Sequence, residues 1–414
     1  MNQTAAVPPM HARTAAVMLA ALTSGFAMSQ AFRTVAAIMA PPLQAEWGLT
    51  PQALGLFAGA FHFAFGAMQL FMGIGIDLYG VRRTILVAFP LGVAGSLLSA
   101  MAPGFGVLVL GQVLIGVGCA PAFLVCTVFI ARHCPPQRFA AMSGAAMGLG
   151  TLGMLLTGTP LAWLVQQWSW RAGFWALALL SVLAWCWIWL AVHEPAAGSA
   201  PAHQREPLGL ALRRFGALFT LAHTWGIVAL GAVTYAAMIT LRGLWLGPML
   251  IERHGFTLVQ SGNVALAMSL VALCGPLLFG RIDPGPRRRR RWISACTLLV
   301  AALFAALALL HSAWLDVAGA LAVGLLSGYI VLQYADVRAA YPAALTGRAM
   351  AAFTMAMFMG VAAMQWFTGW VASLAKARGA DPFIAVLASI AVLLALGAAA
   401  FRWLPAPPAD ASAH

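Results

Sequence analysis

Apolar runs long enough to cross a bilayer recur twelve times along this chain of 414 residues, and charge is confined almost entirely to the breaks between them. The runs fall near 14–40, 51–73, 84–102, 105–130, 138–165 and 171–192, then near 221–250, 258–280, 292–311, 315–339, 348–374 and 382–404. A helix needs about 20 apolar residues to cross the hydrocarbon layer, and longer runs tilt. Lipid offers nothing to an open backbone group, so continuous apolar runs must be helices; a β-barrel shows alternation over roughly ten-residue segments instead. The sequence therefore reads as an all-α membrane protein of twelve transmembrane helices.

Composition agrees. Charged residues make up 8% of the chain and hydrophobic ones 62%, whereas a soluble domain carries about 25% charged residues. The net charge of +13 suggests nucleic acid at first sight, but the arginines sit in short breaks between apolar runs, so no nucleic-acid partner is expected. Six cysteines occur without a CxxC or a His/Cys pair at metal spacing, which gives neither a disulfide framework nor a metal site. The first run is as long as a full span and has no small-residue cleavage site, so it reads as a span rather than a cleaved signal.

Orientation follows from arginine placement. With twelve spans both termini share one side, and that side carries 17 of the 23 basic residues, among them Arg82, Arg83, Arg132, Arg138, Arg205, Arg213, Arg214, the run Arg287 to Arg291, Arg338 and Arg348. The other side holds Arg171, Arg253, Lys376 and Arg378. The excess of positive charge places both termini in the cytoplasm of a bacterial inner membrane. Four regions are expected: a six-helix bundle over 1–192, a cytoplasmic loop over 193–220, a second bundle over 221–404 and a disordered tail over 405–414. Within the loop, Leu208 to Leu221 has arginines amid apolar residues and suits an interfacial helix.

The two bundles read as a repeat. Gly48-x-Thr50-x-x-x-x-Gly55 follows the first span and Gly255-x-Thr257-x-x-x-x-Gly262 follows the seventh, offset by 207. Gly73, Asp77, Gly80, Arg82 and Arg83 after the second span are echoed by Gly280, Asp283, Gly285, Arg287 and Arg288 after the eighth. Arg132 matches Arg338, while Arg138 and Gly150 match Arg348 and Gly360. Four ordered coincidences at nearly constant offset argue for two pseudo-symmetric six-helix units, the plan on which many transporters build a central site.

Gly73-x-x-x-Asp77-x-x-Gly80-x-Arg82-Arg83 resembles the signature loop of the major facilitator superfamily, and Trp170-Arg171-x-x-Phe174 is similar to another common feature of that family. The resemblance implies the twelve-helix facilitator fold and a secondary transporter, and it leaves the substrate open. Leu78 stands where the family usually has a base, and Gln112 where proton-driven members often place an arginine, which speaks against drug/proton antiport. Physically, Gly73 and Gly80 permit close approach and a tight turn. Asp77 can pair with Arg82 or with the other half, so Gly73, Asp77, Gly80, Arg82, Arg83 and Asp283 form a candidate gate; the plainer reading is a positive-inside anchor.

Two arginines lie inside spans: Arg33 in the first and Arg242 in the seventh, offset by 209. An arginine near a span centre costs about 2.5–3.5 kcal/mol on insertion scales, and no acid lies in the central part of any span. Two guanidiniums across a water-filled cavity suit a carboxylate or phosphate, which the planar fork binds through two parallel hydrogen bonds. The placement resembles the organophosphate/phosphate antiporter and related anion-carrier branches of the superfamily, where arginines in spans one and seven form the substrate site. The plainer readings are snorkelling to the interface and pairing with backbone carbonyls at a helix break. By helical spacing Gln30 shares a face with Arg33, Tyr235 and Trp245 share one with Arg242, and Gln365 in span eleven can line the same cavity. His62 and Asp336 are the candidate proton carriers, with packing among aromatics and pairing to Arg338 or Arg132 as their structural alternatives. Gly144 and Gly148 form a small-residue pair suited to helix packing.

These residues point to a carrier for a small anionic solute, carboxylate or phosphorylated, working by proton symport or exchange, as a monomer in the lipid bilayer. The alternatives are a proton-linked efflux pump for apolar compounds, which would want an intramembrane acid, and a transporter-like sensor. No catalytic dyad, metal cluster or phosphate-binding glycine loop supports an enzyme, and no cofactor is expected.

Overall fold

The computed structural model describes residues 12–133, 139–193 and 208–405. Arg138, Arg205, most of the central polar loop and the tail beyond Pro405 lie outside the described residues. Among those described, every regular element is helical. Span one consists of α1 (Ala12–Phe32) and α2 (Ala36–Trp47). The helix α3 (Pro51–Ala100) holds spans two and three, turning at Gly80 with φ 84° and ψ 171°. Span four is α4 (Phe105–Cys119) and α5 (Ala122–His133), span five is α6 (Phe139–Leu156) and α7 (Thr159–Gln167), and span six is α8 (Trp170–Ala191). The short α9 (Leu208–Gly216), where the interfacial helix was expected, precedes the second half.

In that half, span seven is α10 (Ala222–Thr240), a π turn over Leu241–Trp245 and α11 (Leu246–His254). Spans eight and nine are α12 (Leu258–Arg281) and α13 (Pro286–Leu309). Span ten is α14 (Ala313–Leu326) and α15 (Ile330–Ala340), span eleven is α16 (Ala343–Ala377), and span twelve is α17 (Pro382–Trp403). Eleven of these stretches are long and apolar enough to cross a membrane, and the segment 51–79 ahead of Gly80 makes the twelfth.

The repeated motifs now have a physical meaning. Gly48 and Gly255 end α2 and α11 in the left-handed region, at φ 59° and 67°, where a side chain would be strained. Two residues on, Thr50 and Thr257 cap the next helices by accepting from the backbone N–H of Ala53 and Gln260. The G-x-T pattern is therefore a helix stop followed by a helix start. Gly80 and Gly285 likewise share one backbone conformation, with φ 84° and 78°. One repeat pairing shifts: Gly153, rather than Gly150, does the work of Gly360. A Cβ on Gly153 would collide with the Ala27 carbonyl, and one on Gly360 with that of Ala232, so each glycine seats a late span against the first span of its half.

Spans one and seven are both interrupted at their arginines. Pro41 and Pro248, matched at the same offset of 207, lie in the half-helices that follow. Neither can donate to the carbonyl four residues back, which frees Ala37 and Leu244. Gly247 packs directly against the Ala37 carbonyl, so the two half-helices α2 and α11 meet across the seam between halves.

Among the described residues the halves pack closely at one end and on to the level of Gly66 and Phe358. Away from the arginine-rich breaks, Gly55 and Gly59 of span two lie against the carbonyls of Gln365 and Ala362, and Gln52 donates to Ser373 Oγ at 2.9 Å. Gly158 of span five packs on Gly262 and Leu266 of span eight, beside a 2.6 Å hydrogen bond from Thr159 to Asn263. Toward the arginine-rich face a Cβ on Gly144, Gly148 or Gly280 would meet nothing within 4 Å. Gly144 and Gly148, read as a packing pair, are thus unpacked here.

The contact at Gly55 leaves no room for a side chain. Gly55→Leu is expected to hold spans two and eleven apart and loosen the sealed face. Disulfide cross-linking between Gln52→Cys and Ser373→Cys should then fall several-fold; an unchanged yield would show that the seam relaxes around the new side chain.

Candidate functional site

Arg33 occupies the turn between α1 and α2 and is 7% exposed. Its guanidinium carbon lies 4.8 Å from the ring centre of Phe65 in span two and 4.7 Å from that of Phe358 in span eleven, with Phe26 at 5.9 Å. Nη1 donates to the Tyr235 hydroxyl of span seven at 3.2 Å, and Nε is buried without a partner. Four spans from both halves thus meet around one cation. Snorkelling is ruled out, because the side chain stays in the bundle.

Phe358 is the hub of this cluster. Its ring centre lies 4.3 Å from that of Phe65, 5.5 Å from Tyr235 and 6.4 Å from the His62 imidazole, which stacks on it. His62 Nδ1 donates to the Ala58 carbonyl at 3.1 Å, leaving Nε2 a buried acceptor without a partner. Gln365 lies beside it, fully buried, with neither amide atom bonded. Ser29 Oγ and Gln30 Oε1 are likewise buried and unpartnered. Buried polar groups are normally satisfied, so these orphans leave hydrogen-bonding capacity around Arg33 unused.

Arg242 behaves differently. It is fully buried in the π turn of span seven. Its Nε donates to the Ala265 carbonyl at 3.0 Å and to Ser269 Oγ at 3.1 Å, both in span eight. Its Nη2 donates to the Met154 carbonyl at 3.2 Å, across the seam in span five. Span five breaks just beyond Met154: the Gly158 N–H bonds Leu155 instead of the carbonyl four residues back. Arg242 therefore pairs with two carbonyls, one of them at a helix break, and only its Nη1 is buried without a partner. Neither arginine has an acidic partner among the described residues.

The remaining expected residues divide. Gln30, Tyr235, His62 and Gln365 gather around Arg33, so Tyr235 joins the first-span arginine rather than its own span's. Trp245 leaves the group: its Nε1 donates to Thr368 Oγ1 at 2.9 Å and its ring meets Phe383 edge-on. The π turn explains both shifts, since its wider winding removes the i to i+3 stacking assumed for a regular helix. Phe26, Phe65 and Phe358 escaped the sequence reading, although Phe65 follows His62 by one turn and Phe358 precedes Gln365 by two. Asp336 sits near the arginine-rich end of span ten, 3.8 Å from Arg290 of span nine, so its partner is neither Arg338 nor Arg132.

In the expected gate, Arg82 donates to the Trp189 carbonyl at 3.1 Å, Arg83 is exposed, and the Asp77 side chain lies outside what the structure describes. Asp283 forms a clasp within its own half, bonded to Arg289 at 2.7 and 3.1 Å and accepting from the Gly285 N–H at 3.0 Å. Arg289 holds the Asp283 carboxyl below the ordinary carboxylate range. A group depressed in this way stabilises the fold above its unfolded value, about 3.9, and that contribution is lost as pH falls through the folded value. Asp283→Asn should therefore flatten part of the acid dependence of thermal stability below about pH 4, read from melting curves.

A two-half bundle that packs closely at one face and keeps on its seam a cation without an acidic partner among the described residues has the build of a carrier. The chain belongs to the Major Facilitator Superfamily, whose family model matches residues 21–363. It is 24% identical to a hexuronate transporter of Bacillus subtilis over 320 residues, 73% of each chain. It is 30% identical to a gallate transporter of Pseudomonas putida over 201 residues, 45% of this chain and 41% of that one. A probable sulfoacetate transporter of Cupriavidus necator matches at 27% over 148 residues, 36% of this chain and 34% of that one. Among solved structures, a bacterial homologue of the human lysosomal transporter Spinster, inward-facing and occupied, superposes with a TM-score of 0.75 at 17% identity, covering 95% of this chain and 97% of the other. An auto-inhibited peptide transporter gives 0.74 at 14%, with coverage of 94% and 96%. At these identities the structural likeness is one of fold.

Proposed function

We propose that this transporter moves a small organic anion across the cytoplasmic membrane by alternating access, and that Arg33 binds the anionic group. The observation that carries the reading is the Arg33 cluster: a buried guanidinium on the seam, without an acid, ringed by orphan hydrogen-bonding atoms. A carboxylate or phosphoryl group supplies the missing charge and accepts from Arg33 Nε and Gln365 Nε2, while Gln30 Oε1 and His62 Nε2 accept from hydroxyls of the solute. Gln30, His62, Tyr235 and Gln365 then orient the rest of the solute, and the faces of Phe26, Phe65 and Phe358 give it apolar contact. The three named relatives support this reading, since hexuronate, gallate and sulfoacetate are all small organic anions. On this reading Arg33 leads and Arg242 is secondary, because Nε and Nη2 of Arg242 bond the protein and only its Nη1 is left without a partner.

On this reading arginine placement puts both termini toward the cytoplasm and the closely packed face toward the periplasm. The rocking units are the bundles over 1–192 and 221–404, joined by the loop 193–220. Net movement proceeds by proton symport or exchange; His62 can lend its free Nε2 to the solute or a proton, and Asp336 is restrained by Arg290.

The test is uptake into proteoliposomes across a panel of sugar acids, aromatic acids, short sulfonates and phosphorylated compounds, for wild type and Arg33→Gln. Uptake of at least one anion that requires Arg33 is expected. Transport of apolar cations with no anion moved at all would sink the reading.

A further inference from the structure

The periplasmic ends of the two halves carry ion pairs related by the repeat but reversed in sign. In the first half Glu46, ending span one, accepts from Arg171 at 2.7 Å and from the Trp170 indole at 2.6 Å. In the second half the base sits on span seven and the acid on span twelve: Arg253 donates twice to Asp381 Oδ2, at 2.9 and 3.2 Å. The first-half pair is balanced. The second half adds another acid, Asp316 at the start of span ten, whose side chain is wholly buried.

Arg253 serves the two acids unequally. Its short bonds go to Asp381, and Asp316 is left at 3.8 Å. The hydrogen-bond partner of Asp316 is His254, with Nε2 at 2.7 Å from Oδ2, while Oδ1 is buried with no partner. The other charged groups facing the cluster are His311 at the end of span nine, 3.9 Å from Asp381, and Glu252 with Lys376, whose opposite charges offset each other. With both histidines neutral, two carboxylates share one guanidinium, and a buried negative charge stands uncompensated, which is costly. His254 closes that deficit when it is charged. It also ends α11, where the helix dipole favours a cation, and 12% of its side-chain surface reaches solvent, which gives the proton a route.

We propose that His254 and Asp316 form a proton-binding site at the sealed face, in which one proton taken up by the imidazole balances the carboxylate that Arg253 meets only at 3.8 Å. The proton binds Nδ1 of a ring whose Nε2–H already points at Asp316, so the pair becomes imidazolium and carboxylate. Because α11 is the half-helix seated against α2, proton occupancy fastens one wall of the seal to spans ten and twelve. The site lies apart from the Arg33 cluster, and its test does not depend on which solute is carried.

Melting curves of the full-length protein in nanodiscs at pH 8 and pH 6 read the site directly. Wild type should gain about 2 °C or more at pH 6, because the protonated form is the charge-balanced one. His254→Gln and Asp316→Asn should each lose that gain, while His311→Gln should keep it. His254→Gln retaining the full wild-type response overturns the proposal. Nitrogen-15 spectra of histidine-labelled wild type guard against a variant that fails to fold. An imidazolium bonded to a carboxylate is expected on titration, and an imidazole of His254 that stays neutral to pH 5 refutes the site.

Discussion

Arg33→Gln is expected to abolish anion uptake while leaving the protein about as stable as the wild type. The anion would lose a charged, two-pronged partner in a dry site, a truncation that costs about 2–5 kcal/mol, or roughly 30- to several-thousand-fold in apparent affinity. The fold loses little. Arg33 makes one hydrogen bond to Tyr235 and lies over aromatic faces, contacts that offset part of the cost of a buried, unpaired charge. Glutamine removes that charge along with those contacts, so the net change should stay within about 1 kcal/mol. Arg33→Lys keeps the charge but not the fork or the planar stack, and should bind the anion weakly without restoring full uptake. The two readings that separate are uptake and melting temperature: a variant dead in transport yet unchanged in melting marks a residue kept for the solute. If Arg33→Gln instead melts many degrees lower, Arg33 is a structural cation and the site lies elsewhere.

How much of this was legible in the sequence depends on which contacts carry it. The span count, the two halves and the glycine turns were legible because bilayer thickness and backbone geometry act locally. Gly48 with Thr50, and Gly255 with Thr257, encode a stop and a start within three residues, which any reader of the chain can match. The matched depth of Arg33 and Arg242 was legible for the same reason. Their unequal roles were not, because these depend on which carbonyl a distant span exposes. A transmembrane helix is apolar on every side, so its periodicity says little about what each face touches. Phe358 lies 325 residues from Arg33 in the chain, and only the fold brings them together. The breaks in spans one and seven lay within reach, since Pro41 and Pro248 stand at the repeat offset, but the pattern does not say whether a turn or a π turn results. Asp336 shows the same limit: the sequence named an arginine partner nearby, and packing supplied Arg290 from span nine.

Arg242→Gln is expected to fail in the opposite way from Arg33→Gln, losing stability first and transport as a consequence. Arg242 makes three hydrogen bonds from a charged donor, two of them to carbonyls and one across the seam to Met154. Bonds of this kind contribute about 1.5–3 kcal/mol each net of exchange with water, and Ala265 and Ser269 share the one Nε–H. Glutamine cannot reach all three acceptors, and the Met154 carbonyl keeps only the Thr157 hydroxyl, at 3.1 Å. A net loss of about 2–4 kcal/mol follows, lowering the melting temperature by several degrees. The bond to Met154 exists only while spans five and seven are together, so its loss falls on the sealed-face state in particular. About 2 kcal/mol removed from one of two states shifts their ratio roughly 30-fold. Cross-linking between Thr159→Cys and Asn263→Cys, whose side chains are 2.6 Å apart when the face is sealed, should therefore drop in Arg242→Gln and hold in Arg33→Gln. The equivalence that the repeat suggests would predict the same response from both. A difference in cross-linking separates the arginine that waits for an anion from the one that fastens the halves, and equal cross-linking in the two variants would return Arg242 to the substrate site.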